Sequence, residues 1–473
     1  MGIGGAICAG VFVTLGYAAT LAGTALIVAM VLCGIINLFT MLSYAELGAA
    51  LPSAGGEYTF AKVSFGGFLS FATGWFEWIS NMFYAAFSAV GFAYILSYVL
   101  PVNVPIVAVI TIIIFTLVNI KGVKETGTTE TALVIILLIL LGIFVSFGLF
   151  TSQATGNLEL SAPGGFLGVL KASAFIFVVY LGGESIAVAQ AEIKNPGKTI
   201  PRAIILSCFA LILIYTLIAY VVFRIVPAAS LADQASPLAF VAKQFMGDAG
   251  VGIITLAGII AALTSVNTSI MAQSRVAYAM ARDGYFPKFF FNLHKRFSTP
   301  HIAILIGSVF VMATAATGIV NFVTYATDFG FIIGFIFVNL SLIKLRQDKP
   351  NVPRPFMVPL YPLTPILGIA TSLLLILFLE PGTILIGTEL FLFGLLVYYI
   401  RMVGNYLLCL AMGGMNFAIS GFSALFGYLI ITNSLPIALS QNTTTILFVF
   451  ACAVSITYLV AGVLDVTTKD SGG

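Results

Sequence analysis

"FIFVVYLGGESIAVAQAEIKNP", residues 175–196, decides how this chain is read. It begins as an apolar span, sets Gly182 and Gly183 side by side in its middle, and follows them with Glu184 and Ser185. Glycine lowers helix stability by about 1 kcal/mol per residue relative to alanine. A carboxylate near the centre of a bilayer costs about 3 kcal/mol on insertion scales. A span written this way breaks in mid-membrane. The chain opens on a second one, "MGIGGAICAGVFVTLGYAA", residues 1–19, with Gly2, Gly4, Gly5 and Gly10 crowded into its first half. For this first span alone, ordinary small-residue helix packing through Ala6 and Gly10 is an equal alternative.

The composition sets the frame. Of 473 residues 60% are hydrophobic and 8% charged, against roughly 25% charged in soluble domains. About fourteen apolar spans run from residue 2 to residue 464, most near the length that crosses a bilayer. The first covers 2–20, the sixth 170–190, the eighth 249–274 and the tenth 322–343. The class is an all-α polytopic membrane protein in a lipid bilayer. A transmembrane barrel would show short alternating segments instead.

Lys and Arg set the orientation. With the first residues placed in the cytoplasm, only Lys171, Arg224 and Lys243 of the 20 basic residues fall outside. Both termini are then cytoplasmic, in the cytoplasmic (plasma) membrane.

The breaks in the first and sixth spans are five helices apart. Five is odd, so a second set of five helices is inverted relative to the first. Interrupted spans at matching places of two such halves point to a transporter's binding site. An unwound stretch offers N–H groups to an anion and carbonyl oxygens to a cation. A zwitterionic amino acid needs both.

Other polar groups in the spans are candidates for ion or proton coupling. Glu77 lies in "GWFEWISN" and Asp328 in "TYATDFGF", and for each a buried hydrogen-bonded acid is the equal alternative. Thr264, Ser265, Asn267, Thr268 and Ser269 cluster in the eighth span. They satisfy themselves on their own helix or, through Thr264 and Ser265, form an oxygen cage for a sodium ion. Glu46, closing the second span, reads as loop architecture.

Enzyme chemistry is not expected. His294 and His301 are the only histidines, and the five cysteines all sit in apolar stretches without metal-ligand spacing. Glu184 and Ser185 are adjacent, so on a helix they point about 100° apart. No cofactor, no other metal and no nucleic-acid partner is expected; the coupling ion is Na⁺ or H⁺, and the oligomeric state is left open.

Four stretches resemble the amino acid–polyamine–organocation superfamily, and within it the cationic-amino-acid-transporter-like permeases. They are "GIGGAICAGVFVTLG", "SYAELGAALPSAGGEYTFAK", "FVVYLGGESIAVAQAEIKNPGKTIPRAI" and "SRVAYAMARDGYFPKFF", in that order within the first 350 residues. The resemblance implies a leucine-transporter-like five-plus-five inverted repeat with broken helices 1 and 6, over residues 1–345. Residues 346–473 then hold about four additional C-terminal helices. It places Cys8, Ala9 and Gly10 as N–H donors to a substrate carboxylate, and Tyr180, Leu181 and Gly182 around its amine. Ile7, Gly183 and Glu184 complete the candidate substrate site.

Three residues depart from the family pattern. Cys8 replaces a glycine, Gly183 stands where an aromatic gate is common, and Leu137 stands where some proton-coupled relatives carry a lysine. The family's cytoplasmic half of helix 1 is nearly absent, so Met1 is expected to be an internal residue of a longer helix. The leading expectation is a secondary active amino-acid permease working by alternating access. A polyamine or amine antiporter, suggested by Glu77, Glu184 and Asp328, is the first alternative. A transport-dead amino-acid sensor on a permease fold is the second.

Overall fold

The computed structural model describes residues 2–51, 55–122, 126–153, 155–156, 158–188, 193–402, 406–432 and 441–467. Met1, Lys124 and Lys469, which bear on the expected start and orientation, lie outside the described residues. Among those described there is helix and no strand. Eleven stretches are long and apolar enough to cross a membrane, and three shorter apolar helices accompany them.

The first expected span is three helices, α1 (Gly2–Ala6), α2 (Gly10–Val13) and α3 (Leu15–Ala22). Gly23, at φ 57°, turns the chain into α4 (Leu26–Ala50). The short α5 (Gly56–Ser64) leads to α6 (Gly67–Ser97), α7 (Val104–Lys121) and α8 (Thr126–Phe150). The sixth span is α9 (Gly165–Ile176), a 3₁₀ turn over Phe177–Tyr180, a non-helical stretch at 181–184, and α10 (Ser185–Val188).

Then come α11 (Pro196–Ile225), α12 (Pro237–Arg282), α13 (His301–Ala315), α14 (Val320–Asp348) and α15 (Leu363–Leu377). The chain ends in α16 (Pro381–Met402), α17 (Tyr406–Ile431) and α18 (Gln441–Thr467). Each expected span thus contains helix among its described residues, and the first and sixth are interrupted, at 7–9 and at 181–184. The eighth is longer at both ends than its apolar run. Gly247, at φ 62° and ψ −151°, kinks α12 before the span, and the polar "SRVAYAMAR" continues the helix to Arg282.

Two compact units divide the chain. The first holds residues 1–281 and 288–379, the second 282–287 and 380–473. Within the first unit α15 packs on α14 and α4. In that unit α4 lies along α11 and α6 along α14. Glycine permits both approaches: a Cβ on Gly34 would meet the Ile212 side chain, and one on Gly330 would meet Ser80 Oγ. In lipid, where association rests on close packing and not on expulsion of water, such small-residue seams are what hold helices together. In the second unit α16 and α17 pack on α18, around Leu396, Val454, Tyr458 and Ala461. The Tyr458 hydroxyl donates to Leu392 O there, and Ser423 Oγ donates to Glu389 Oε2 at 3.1 Å.

Candidate functional site

The two helix breaks meet. Gly182 takes φ 104°, a value open chiefly to glycine. A Cβ on it would collide with Gly5 O and come within 2.8 Å of Ala6 N. A Cβ on Gly5 would in turn lie 2.6 Å from Gly182 O and 2.9 Å from Ser185 Oγ. The first and sixth spans therefore cross backbone against backbone, the last turn of α1 against the unwound stretch of the sixth span. Residues 6–10 and 180–182 are all buried.

Such a crossing must satisfy its own polar backbone, and here tyrosines help to do it. The Tyr84 hydroxyl, from α6, lies 3.0 Å from Gly5 O and 3.1 Å from Leu181 O, one carbonyl from each break. The Tyr215 hydroxyl, from α11, donates to Ala6 O at 3.2 Å. Asn37 Nδ2, from α4, donates to Tyr180 O at 3.4 Å, and the Tyr180 hydroxyl donates to Met30 O at 2.7 Å. Sequence reasoning named the unwound backbone but missed Tyr84, Tyr215 and Asn37. The available signal was a polar residue in an apolar span at the depth of a break.

Cys8 does more than replace a glycine. Its Sγ accepts the Gly10 N–H at 3.2 Å, so one expected donor to a carboxylate is occupied by a thiol. Ile7 N–H closes α1 on Ile3 O at 2.9 Å, and Phe12 N–H bonds Ala9 O at 3.0 Å to begin α2. Glu184 stays local: both its carboxylate oxygens accept the Gly182 N–H, at 2.7 and 2.8 Å. Ser185 Oγ donates to Gly182 O at 2.6 Å. Together they hold the turn that carries the sixth span across its break. Gly183 faces space, as a Cβ there would meet only Met41 Sδ, at 3.7 Å. The adjoining cavity is 10 Å³ and is lined by Asn37, Met41, Tyr180, Ser207 and Cys208 among others. That is room for about one water.

The other candidates lie in different settings. The Glu77 carboxylate accepts the N–H groups of Glu57 (3.3 Å) and Tyr58 (2.8 Å), capping the start of α5. Glu57, which sits between spans on α5, receives the Tyr44 hydroxyl. Burial first and then the nearby Glu77 push the Glu57 carboxyl well above the usual carboxylate range. Thr264 Oγ1 donates to Ile260 O at 2.8 Å and Ser265 Oγ to Ala261 O at 2.9 Å, so both hydroxyl protons stay on their own helix. The Leu137 side chain is fully buried.

Asp328 on α14 is fully buried, and neither carboxylate oxygen has a hydrogen-bond partner among the described residues. Glu46, read as architecture, is the hub of a buried network. It accepts Arg346 Nε at 2.8 Å, Arg346 Nη2 at 2.5 Å and Val358 N at 2.7 Å. No group of three or more metal-ligating side chains occurs among the described residues.

The sequence of the whole region is similar to known transporters. A family model described as amino acid permease matches residues 1–401. The branched-chain amino acid permease BcaP of Bacillus subtilis is 27% identical, over 85% of this chain and 90% of its own. The methylthioribose transporter of the same organism is 29% identical, over 85% and 91%. BcaP of Lactococcus lactis subsp. cremoris is 27% identical, over 84% and 92%.

Proposed function

This chain belongs to the amino acid permease family, a family of transporters and not of enzymes, and we propose that it is a secondary active permease moving amino acids across the cytoplasmic membrane by alternating access. The observation that carries the reading is the crossing of two broken helices, Gly5 in the last turn before the first break against Gly182 in the second. That crossing supplies N–H donors and carbonyl acceptors within one buried centre. Ile7, Cys8, Ala9 and Gly10 form one wall, and Tyr180, Leu181, Gly182, Gly183 and Glu184 the other.

In this reading the centre is held shut by the protein's own groups, and substrate exchanges with them. The substrate carboxylate takes the Gly10 N–H from Cys8 Sγ, and its ammonium takes Gly5 O or Leu181 O from Tyr84. Neutral hydrogen bonds contribute about 1 kcal/mol net, and those to charged groups about 1.5–3 kcal/mol. The exchange therefore favours a zwitterion over an uncharged solute. The five-plus-five inverted repeat, with both termini cytoplasmic, fits the odd spacing of the breaks and the 17 basic residues inside against 3 outside. The buried Glu46–Arg346 network then closes the cytoplasmic side. A cavity of 490 Å³ beside Thr20, Glu159, Pro163 and Pro227 forms the outer approach.

Purified protein in liposomes, offered each radiolabelled amino acid, putrescine and methylthioribose, tests this. Uptake or exchange of one or more amino acids is expected. Flux of putrescine alone would establish the amine antiporter instead. Methylthioribose is included because of the relative at 29% identity. Ligand-dependent thermal stabilisation without flux of any solute would favour the sensor.

A further inference from the structure

We propose that Asp328 is the proton-binding group of this permease, protonated while the centre is closed and ionised when it opens; the proposal rests on the transport reading above. The helix face that carries Asp328 points into the crossing. One turn before it on α14, the Tyr325 ring packs on Phe175 of α9. One turn after it, the Phe331 ring packs on Tyr84, whose hydroxyl lies against both breaks. Two turns after it, Phe335 packs on Tyr44 and on Phe177. Asp328 lies within electrostatic reach of Cys8 in the first break and of Cys33 on α4.

Among the described residues, the groups around it supply no counter-charge. Of the elements packed on α14, α6 brings Glu77 and Tyr84, α5 brings Glu57, and α4 brings Cys33 and Tyr44. The 3₁₀ turn brings Tyr180, and α15 brings no titratable group. Thiols, phenols and acids cannot neutralise a carboxylate. The cations on these elements, Lys62 on α5 and Lys171 on α9, are exposed. Glu46 on α4 is taken by Arg346.

Among the described residues neither oxygen of Asp328 has a hydrogen-bond partner, and the residue is fully buried. An isolated buried charge is far more costly than an isolated buried neutral acid. The closed centre therefore holds the carboxylic acid. Water entering with either opening solvates the group and lets the proton leave to that side. Carboxylate plus H⁺ giving the acid is the whole reaction, and its alternation between the two sides couples a proton to each cycle. Sodium at Thr264 and Ser265 is then not required for energy coupling.

Two measurements test this. The first needs no transport. Infrared difference spectra of wild type against Asp328→Asn, in H₂O and D₂O at pH 7, should contain a carboxylic-acid C=O band that shifts in D₂O. A wild-type spectrum without that band overturns the proposal. The second uses L-leucine, chosen because two relatives are named branched-chain permeases. Wild-type proteoliposomes loaded with pyranine should acidify inside as leucine enters. Asp328→Asn should retain leucine exchange within about twofold and lose proton-driven accumulation. Leucine entry with flat internal pH, or full accumulation by Asp328→Asn, overturns the coupling alone. Loss of exchange by folded Asp328→Asn, carrying the substrate amine as its cause, overturns it too. No flux of leucine or any other amino acid in wild type overturns the permease reading and the coupling together.

Discussion

Glu46→Gln should be among the most destabilising single-atom changes in this protein. The Glu46 side chain is 1% exposed, with Arg346 at 13% and Arg354 at 9%. Its carboxylate takes two bonds from the Arg346 fork and one from Val358 N, and Arg354 Nε stands 3.4 Å away. The Arg346 guanidinium also lies 4.0 Å over the Tyr361 ring. One side chain thus ties α4 to the end of α14 and to the segment that follows it. Glutamine keeps the shape, removes the charge, and turns one acceptor into a donor facing donors. Breaking a buried pair from one side costs about 3–5 kcal/mol, since the partner is left buried and uncompensated. The lower figure is a factor of about 10² in the folded population. Arg354 does not offset the loss, because its own Nη groups are held by Pro350 O and Lys349 O, both at 2.8 Å.

Thermal unfolding in one fixed detergent reads the effect. Glu46→Gln should lower the midpoint by several degrees. Arg346→Lys, which keeps the charge and loses the fork, should lower it less and serves if the first variant does not accumulate. Glu46→Gln combined with Arg346→Gln should be less destabilised than the sum of the singles by more than about 1 kcal/mol. Lys344→Met is the control. Lys344 and Asp348 also approach to 2.8 Å, but at 43% and 48% exposure, and such pairs contribute about 0.5 kcal/mol. A Glu46→Gln midpoint within a degree of the control refutes the reasoning.

Gly182→Ala should abolish transport at normal membrane abundance. It puts a Cβ at φ 104° against Gly5 O, with no flexible side chain to yield; initial uptake above a tenth of wild type would show that the two backbones can part. Cys8→Gly should improve substrate affinity. It frees the Gly10 N–H from the thiol, and with about 1 kcal/mol at stake for one hydrogen bond the apparent KM should fall about fivefold. An unchanged or raised KM would mean that this N–H does not meet the substrate.

Periodicity and breakers made the helices legible, because a span in lipid must hide its backbone and has few ways to do so. The glycine pair at 182–183 located the sixth break to the residue, and Gly2 to Gly10 located the first. What the sequence withheld was what each polar side chain meets. Glu77 reads as an intramembrane acid with a choice of roles, and only the fold brings it under the first N–H groups of α5. Glu46 reads as loop architecture, and only the fold sets Arg346, 300 positions away, against it. Asp328 reads much like Glu77, an acid in an aromatic span. The fold separates the two by what surrounds them: among the described residues Glu77 has two backbone donors and Asp328 has none. A pairing between distant spans leaves no mark on local spacing, and neither does its absence. Cap and orphan, alike on the page of the sequence, are therefore assigned by packing alone.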